Sequence, residues 1–367
     1  MAKYVPELDG IRAFAVLPVL LFHLKVPGFG LGWGGVQLFF VLSGYLITGI
    51  LLESKPQPHF FRNFYVRRSL RIFPIYYALL LAILAVAVAR SLPFDDAAWF
   101  FTYLQNYRLG LDNFGPRFPL LFNHTWSLAV EEQFYLLWPL ATWLLSRRRL
   151  GQLAVALVVV GAVARLLFVA LGARQSLIFT PLVSQVDALG AGASLAILRR
   201  SGVERGTLIR LSTLALGLGG AYIVGFLAWR GVDVFYAEWA RTALDTLLWS
   251  ALALASAGAV GLTICLPGTP LGALLRQRPL VYIGRISYGL YLYHYPIFLL
   301  ANSLERRAFG HALSPLPHGV FCFAATGLVA AVSFRTVEKM FLELKDKWAP
   351  AVAPGQRLAP LPQPPAH

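Results

Sequence analysis

The sequence predicts an all-α fold, a polytopic bundle of membrane-spanning helices. Three observations predict it. Hydrophobic residues make up 57% of the 367 and charged residues only 13%, against roughly 25% charged in ordinary soluble domains. Mean hydropathy is +0.63. The apolar residues gather into runs of about twenty, the length that crosses a bilayer. The net charge of +15 would suggest a nucleic-acid partner in a soluble chain. Here Lys and Arg sit in short loops between apolar runs, where they orient helices, so the bilayer is the expected partner and nucleic acid is not. Cys265 and Cys322 show no metal-ligand spacing and nothing pairs them, so neither a disulfide nor a metal site is expected.

Taken in order, the apolar runs predict spans over 11–27, 34–53, 73–90, 126–145, 151–172, 178–198, 208–229, 243–265, 281–303 and 317–341. The first run passes through Gly28 and Trp33 into the second without a small-residue cleavage pattern, so no cleavable leader is expected. The stretch 97–107, AAWFFTYLQNY, is too short to cross and reads as re-entrant or interfacial; counting it would give eleven spans and invert everything after it. Ten spans with a cytoplasmic N-terminus put Arg62, Arg67, Arg68, Arg71, Arg147, Arg148, Arg149, Arg199, Arg200, Arg205, Arg210, Arg276 and Arg278 inside, a bias that supports this topology. Both termini are then cytoplasmic. Residues 1–345 read as one transmembrane domain, and the Pro-rich residues 346–367 as a disordered cytoplasmic tail. No appended soluble domain and no internal repeat is apparent.

Five segments carry ionisable or small residues where lipid would not favour them. In LDGIRAFAVLPVLLFH, residues 8–23, Arg12 and His23 are eleven positions apart. Eleven steps of about 100° bring them to one face, about 16 Å apart along the axis. Such groups read as facing a protein interior or wet cavity, although a snorkelling Arg12 and an interfacial His23 would fit the segment equally. In GWGGVQLFFVLSGYLITGILLE, Ser43 and Gly44 offer a small surface for a slender ligand or, as is commoner, for another helix. In FYVRRSLRIFPIYY, Arg67, Arg68 and Arg71 form a guanidinium cluster within one turn, with Pro74 suited to the first turn of the next span. Planar forks of this kind suit phosphates, and the positive-inside rule explains the same arginines as well.

In HTWSLAVEEQFYLLWP, the adjacent Glu131 and Glu132 are about 100° apart, so at least one turns inward, toward a positive partner. Tyr135 lies one turn beyond Glu131; His124, Trp126 and Ser127 stand at the helix entrance. The alternative is an acidic helix start, although the dipole effect fades by the second turn. In GRISYGLYLYHYPIFLL, His294 lies among Tyr288, Tyr291, Tyr293 and Tyr295, where an aromatic belt and a structural histidine are the plainer reading.

In order and spacing these five segments, together with VSQVDALGAGASLAIL around Asp187, resemble acyltransferase family 3, the integral-membrane O-acyltransferases that modify bacterial surface glycans and some secondary metabolites. The resemblance covers nearly the whole chain. It implies His23 in acyl transfer, Arg12 in placing the donor, Arg68 and Arg71 in binding acyl-CoA, and Glu131 with Ser127 as the serine-leucine-x-x-glutamate motif. His23, Arg12 and Glu131 are then the expected catalytic residues, with Arg67, Ser43 and Gly44 on the donor side and Ser127, Trp126, Tyr135, His124 and His294 beside the acceptor. Gln37 and Gln185 depart from the family, many members of which carry an acidic residue and an arginine at those places. The expected activity is transfer of an acetyl or other short acyl group from acetyl-CoA or a similar acyl-CoA, reached from the cytoplasm, to a hydroxyl of an extracytoplasmic or lipid-linked glycan in the bacterial cytoplasmic membrane. A small secreted metabolite such as a macrolide sugar is the alternative acceptor. A secondary transporter is the reading of another class; it also predicts buried charges, but transporters commonly show a repeat.

Overall fold

The computed structural model describes residues 4–92, 96–112, 120–233, 242–311 and 313–349. Most of the expected tail, 350–367, lies outside the described residues. In chain order the helices are α1 (Pro6–His23), α2 (Gly35–Ser54), α3 (Phe60–Ala89), α4 (Ala97–Phe101), α5 (Gln105–Asp112), α6 (Trp126–Leu144), α7 (Arg147–Ala170) and α8 (Gln175–Phe179). They continue as α9 (Val186–Arg200), α10 (Arg205–Arg230), α11 (Ala243–Cys265), α12 (Pro270–Leu275), α13 (Arg278–Arg285), α14 (Ser287–Phe309), α15 (Pro315–Ser333) and α16 (Lys339–Trp348). No strand occurs among the described residues.

The protein is a polytopic membrane helix bundle. Among the described residues, six helical stretches are long and apolar enough to cross a membrane: 32–54, 60–89, 147–170, 205–230, 243–265 and 315–348. The other four predicted spans coincide with α1, α6, α9 and α14. Of these, α9 has only 15 residues, and the rest carry charged, amide or imidazole groups along the bundle interior.

Several expected boundaries change, each for a local reason. The span expected at 178–198 is broken, because Pro181 follows the end of α8 and the chain passes through a short 3-10 turn, Leu182–Ser184, before α9 begins at Val186. The span expected at 281–303 divides at Ile286 into α13 and α14. Pro74 lies inside α3, which begins at Phe60 and runs 30 residues. At about 45 Å this helix exceeds the roughly 30 Å hydrocarbon core, so its arginine-bearing first turns project past it. The stretch 97–107 forms the 5-residue α4 and part of the 8-residue α5, both too short to cross.

Helix seams are set by small residues. A Cβ on Gly44 of α2 would overlap the Leu189 carbonyl oxygen of α9, and one on Gly192 of α9 would overlap that of Val41 on α2. The two backbones therefore touch. α15 passes through a π-turn, Phe334–Glu338, into α16, which docks on α3 through Arg67: its guanidinium reaches Asp346 at 2.9 Å and the Ala349 carbonyl at 2.8 Å.

A candidate active site between an arginine cavity and a histidine cluster

At one end of α1 lies a cavity of about 500 Å³ lined by Asp9 and Arg12 of α1, Arg71 of α3, Arg285 of α13, Tyr288 of α14, Glu338 of the π-turn, and Tyr4, Phe334 and Leu342. Arg12 donates to Asp9 at 2.5 Å, Tyr4 donates to the other Asp9 oxygen at 2.7 Å, and Arg285 donates to Tyr4 at 3.0 Å. Asp9 is thereby satisfied by neighbours of its own network. Arg71 is different: it is exposed to the cavity and forms no hydrogen bond or ion pair with any described residue. Tyr288 donates to the Ile72 carbonyl at 2.8 Å, which fixes α14 beside this arginine.

Deeper along α6, Arg68 lies 4.3 Å from the centroid of the Tyr135 ring, a cation–π contact. The Tyr135 hydroxyl is 2.9 Å from Ser43 Oγ, and Ser43 donates a short hydrogen bond to Glu131. Both Glu131 and Glu132 are partly buried, and Glu132 Oε1 is enclosed without a hydrogen-bond partner among the described residues. Ser127, Glu131 and Tyr135 follow one another at four-residue intervals and share one face of α6.

At the far end of this face three histidines meet, from α1, from the 3-10 turn Leu120–Thr125 and from α14. His294 lies 4.9 Å from His23 and 5.0 Å from His124 between ring centroids, and Tyr295 lies 5.2 and 5.4 Å from the same two rings. Tyr291 donates to the His124 carbonyl at 2.5 Å, so the 2.7 Å bond between Ser127 and Tyr291 has the serine as donor. Carbonyls can only accept, and they therefore fix the tautomers. His23 Nδ1 lies 2.9 Å from the Val19 carbonyl, His294 Nδ1 lies 2.6 Å from that of Tyr291, and His124 Nε2 lies 3.2 Å from that of Leu292. Each of these nitrogens carries the proton. His23 Nε2, which bonds no described residue, and the buried, unpartnered His124 Nδ1 keep free lone pairs.

α1 and α14 run from the arginine cavity to the histidines, and α6 runs the other way. The result is a polar column about 16 Å long, with Arg12, Arg71 and Arg68 at one end, Glu131, Ser43 and Tyr135 in the middle, and His23, His124, His294 and Ser127 at the other. Three expected site residues stand outside it. The surface beside Gly44 is filled by α9. Arg67 is engaged by α16. The Trp126 ring packs edge-on against Phe40 and Phe179, at 6.2 and 5.6 Å, in the aromatic wall.

The column also contains residues that the sequence reading did not assign. Asp9 was detectable as a carboxylate three residues before Arg12, on the same face. Arg285 reads in sequence as a loop cation and Tyr291 as one tyrosine of an aromatic belt, and Glu338 is brought in only by the π-turn. A second polar knot lies between α7, α9 and α11. Arg165 and Asp187, both fully buried, pair through two hydrogen bonds of 3.1 and 2.5 Å, and Ser250 bonds both partners. Next to it Gln37 donates to Gln185 at 2.6 Å. The two positions named above as departures thus meet in a hydrogen bond between amides. Among the described residues no group of three or more His, Cys, Asp or Glu is arranged to hold a metal ion.

Residues 5–335 match the family model described as an acyltransferase domain. The chain belongs to this family. Glu338 and Leu342 of the cavity fall just beyond the match. The chain is 31% identical over 356 residues to the peptidoglycan O-acetyltransferase OatA of Listeria monocytogenes, covering 92% of this chain and 55% of that protein. It is 31% identical over 361 residues to the putative peptidoglycan O-acetyltransferase YrhL of Bacillus subtilis, with the same coverage, 92% and 55%. With the O-acetyltransferase OatA of Staphylococcus aureus it shares 28% over 363 residues, 92% of this chain and 57% of that protein. The chain therefore spans little more than half the length of these relatives. No solved structure matches it.

Proposed function

We propose that this acyltransferase domain moves an acetyl, or another short acyl, group from acyl-CoA on the cytoplasmic side of a bacterial cytoplasmic membrane to a hydroxyl of an extracytoplasmic or lipid-linked glycan. The relatives' names point to peptidoglycan as the acceptor class. The observation that carries the reading is the column itself, with an unpaired arginine in an open cavity at one end and a histidine with a free Nε2 at the other. Arg71 and Arg68, with Arg12 ordered by Asp9, take the phosphates of the donor, since a guanidinium without a carboxylate partner is available to them. The thioester arm extends along Glu131, Ser43 and Tyr135 toward His23. His23 Nε2 accepts the proton of the acceptor hydroxyl as its oxygen attacks the thioester carbonyl. The C–O bond forms, the C–S bond breaks, and the CoA thiolate leaves with the proton that His23 returns. His124 Nδ1, buried with a free lone pair, accepts from a second acceptor hydroxyl.

Ten spans with Arg71 and Arg147 cytoplasmic complete the reading, and sidedness tests it. Acetyl-CoA on the cytoplasmic face of sealed vesicles is expected to support transfer to the opposite face, and acetyl-CoA on the other face is not. In a background without Cys265 and Cys322, Arg147→Cys should react with membrane-impermeant maleimide only after cells are opened, and Asp112→Cys in intact cells. Labelling of Arg147→Cys from outside would overturn the topology and the donor's side with it.

A further inference from the structure

The three histidines are not equivalent, and the difference lies in what each ring has left to offer. His23 is partly exposed with Nε2 free, and His124 keeps a free Nδ1. His294 is 0% exposed and uses both ring nitrogens on protein: Nδ1–H donates to the Tyr291 carbonyl at 2.6 Å, and Nε2, left as an acceptor, faces His23 Nδ1 at 3.1 Å. A residue with no free polar atom does not recognise a substrate.

We propose that His294 is a positioning residue for acyl transfer, accepting the His23 Nδ1–H bond so that His23 presents Nε2 to the acceptor hydroxyl and keeps that bond as its ring becomes charged. The inference rests on the proposed role of His23. Two acceptors define the His23 ring: the Val19 carbonyl of its own helix, four residues back, and His294 from α14. The first alone holds the ring against α1. The second, from another helix, fixes the plane of the ring and with it the direction of the free Nε2. When Nε2 takes the hydroxyl proton, Nδ1–H becomes a charged donor, and a hydrogen bond from a charged donor is stronger than the one it replaces. The contact therefore favours the charged state reached during the reaction over the resting state, the condition for raising kcat rather than lowering KM.

Two substitutions separate this role from packing. In His294→Asn the amide lies where Nδ1 was and keeps the Tyr291 contact, but it does not reach His23. In His294→Gln the longer side chain returns an acceptor toward His23 Nδ1. Steady-state kinetics with acetyl-CoA and an oligosaccharide acceptor are expected to show kcat of His294→Asn reduced on the order of 10- to 100-fold, the scale of one hydrogen bond to a charged group, with both KM values within about twofold of the unmodified protein. His294→Gln is expected to recover most of kcat. A raised acceptor KM with unchanged kcat would make His294 a binding residue instead, and equal losses in both variants would assign it to packing; either result overturns the proposal. Nitrogen-15 NMR of His23 in nanodiscs supplies a readout independent of turnover: its proton is expected on Nδ1, coupled to His294 Nε2, and a proton on Nε2 sinks the inference. If the unmodified protein transfers no acyl group from acetyl-CoA, the proposed function fails, while the NMR measurement still decides the histidine contact.

Discussion

Arg165 and Arg71 both sit on helices expected to cross the membrane, and they do opposite things. Arg165 is 0% exposed and directs every N–H except Nε–H at an acceptor: Asp187, Ser250 and the Ser184 carbonyl. Arg71 is exposed to a cavity and bonds none of the described residues. A charge within a membrane protein is expensive unless something compensates it. For Arg165 the compensation is built into the fold. For Arg71 none of the described residues supplies it, and the side chain faces an open cavity instead. What separates the structural knot of α7, α9 and α11 from the column of α1, α3, α6 and α14 is therefore how much bonding capacity remains unused, not the presence of ionisable residues in apolar helices.

The largest expected effect tests the column where its chemistry is concentrated. His23→Ala removes the group with the free Nε2, and transfer should fall by about 10²–10⁴-fold, the range for loss of a general base. Donor binding and thermal stability should stay close to those of the unmodified protein, because His23 bonds only Val19 and His294 among the described residues. Near-normal turnover would remove His23 from the mechanism and make its end of the column as structural as the knot.

The knot should fail in the converse manner. Arg165→Ala leaves a buried Asp187 uncompensated, and stability should drop by about 3–5 kcal/mol, with turnover per folded molecule preserved. Replacing both partners by apolar residues, Arg165→Met with Asp187→Leu, should restore most of that loss, since a buried ion pair exchanged for packed hydrophobic side chains is often neutral. Thermal unfolding in detergent measures both. A double variant that is stable yet inactive would give Asp187 a chemical role.

How far the sequence anticipated this contrast follows from what periodicity can and cannot carry. It places Arg12 and His23 on one face of α1, because both belong to one helix and 3.6 residues per turn relates them. It also aligns Ser127, Glu131 and Tyr135 on α6. It does not join residues 23, 124 and 294, since the faces of separate helices meet only through tertiary packing. Hydropathy locates the six long apolar helices because their outward residues are apolar, as Val155, Val159 and Val163 of α7 are. The same measure undercounts α1, α6 and α14, whose polar stripes form the site. An apolar run masks Arg165, and apolar residues continuing on both sides hide the breaks at Pro181 and Ile286.

A smaller effect sharpens the comparison on the donor side. No carboxylate of the described residues lies within ion-pair distance of Arg71; if the side chain holds donor phosphate as proposed, Arg71→Ala should weaken acetyl-CoA binding by about 1.5–3 kcal/mol, the scale of a hydrogen bond to a charged group. Arg71→Lys should restore it only partly, because the bidentate fork is lost. Calorimetry that finds Arg71→Ala unchanged would return this arginine to the topological role that the positive-inside rule supplies.

Arg67 gives the smallest effect and the most discriminating one, because in sequence it is indistinguishable from its neighbours. It lies four residues before Arg71 on the same helix, but its guanidinium is spent on Asp346 and the Ala349 carbonyl. The pair is solvated, with side-chain exposures of 27% and 66%, and pairs of that kind contribute about 0–1 kcal/mol. Arg67→Ala should therefore leave acetyl-CoA affinity within about twofold and lower stability by no more than that amount. The measurable change should be local, as faster amide exchange in α16, whose docking on α3 loses an anchor. If calorimetry instead showed Arg67→Ala weakening the donor as much as Arg71→Ala, the contact with α16 would have to open during binding. The division between spent and unspent arginines would then describe only the empty state of the protein.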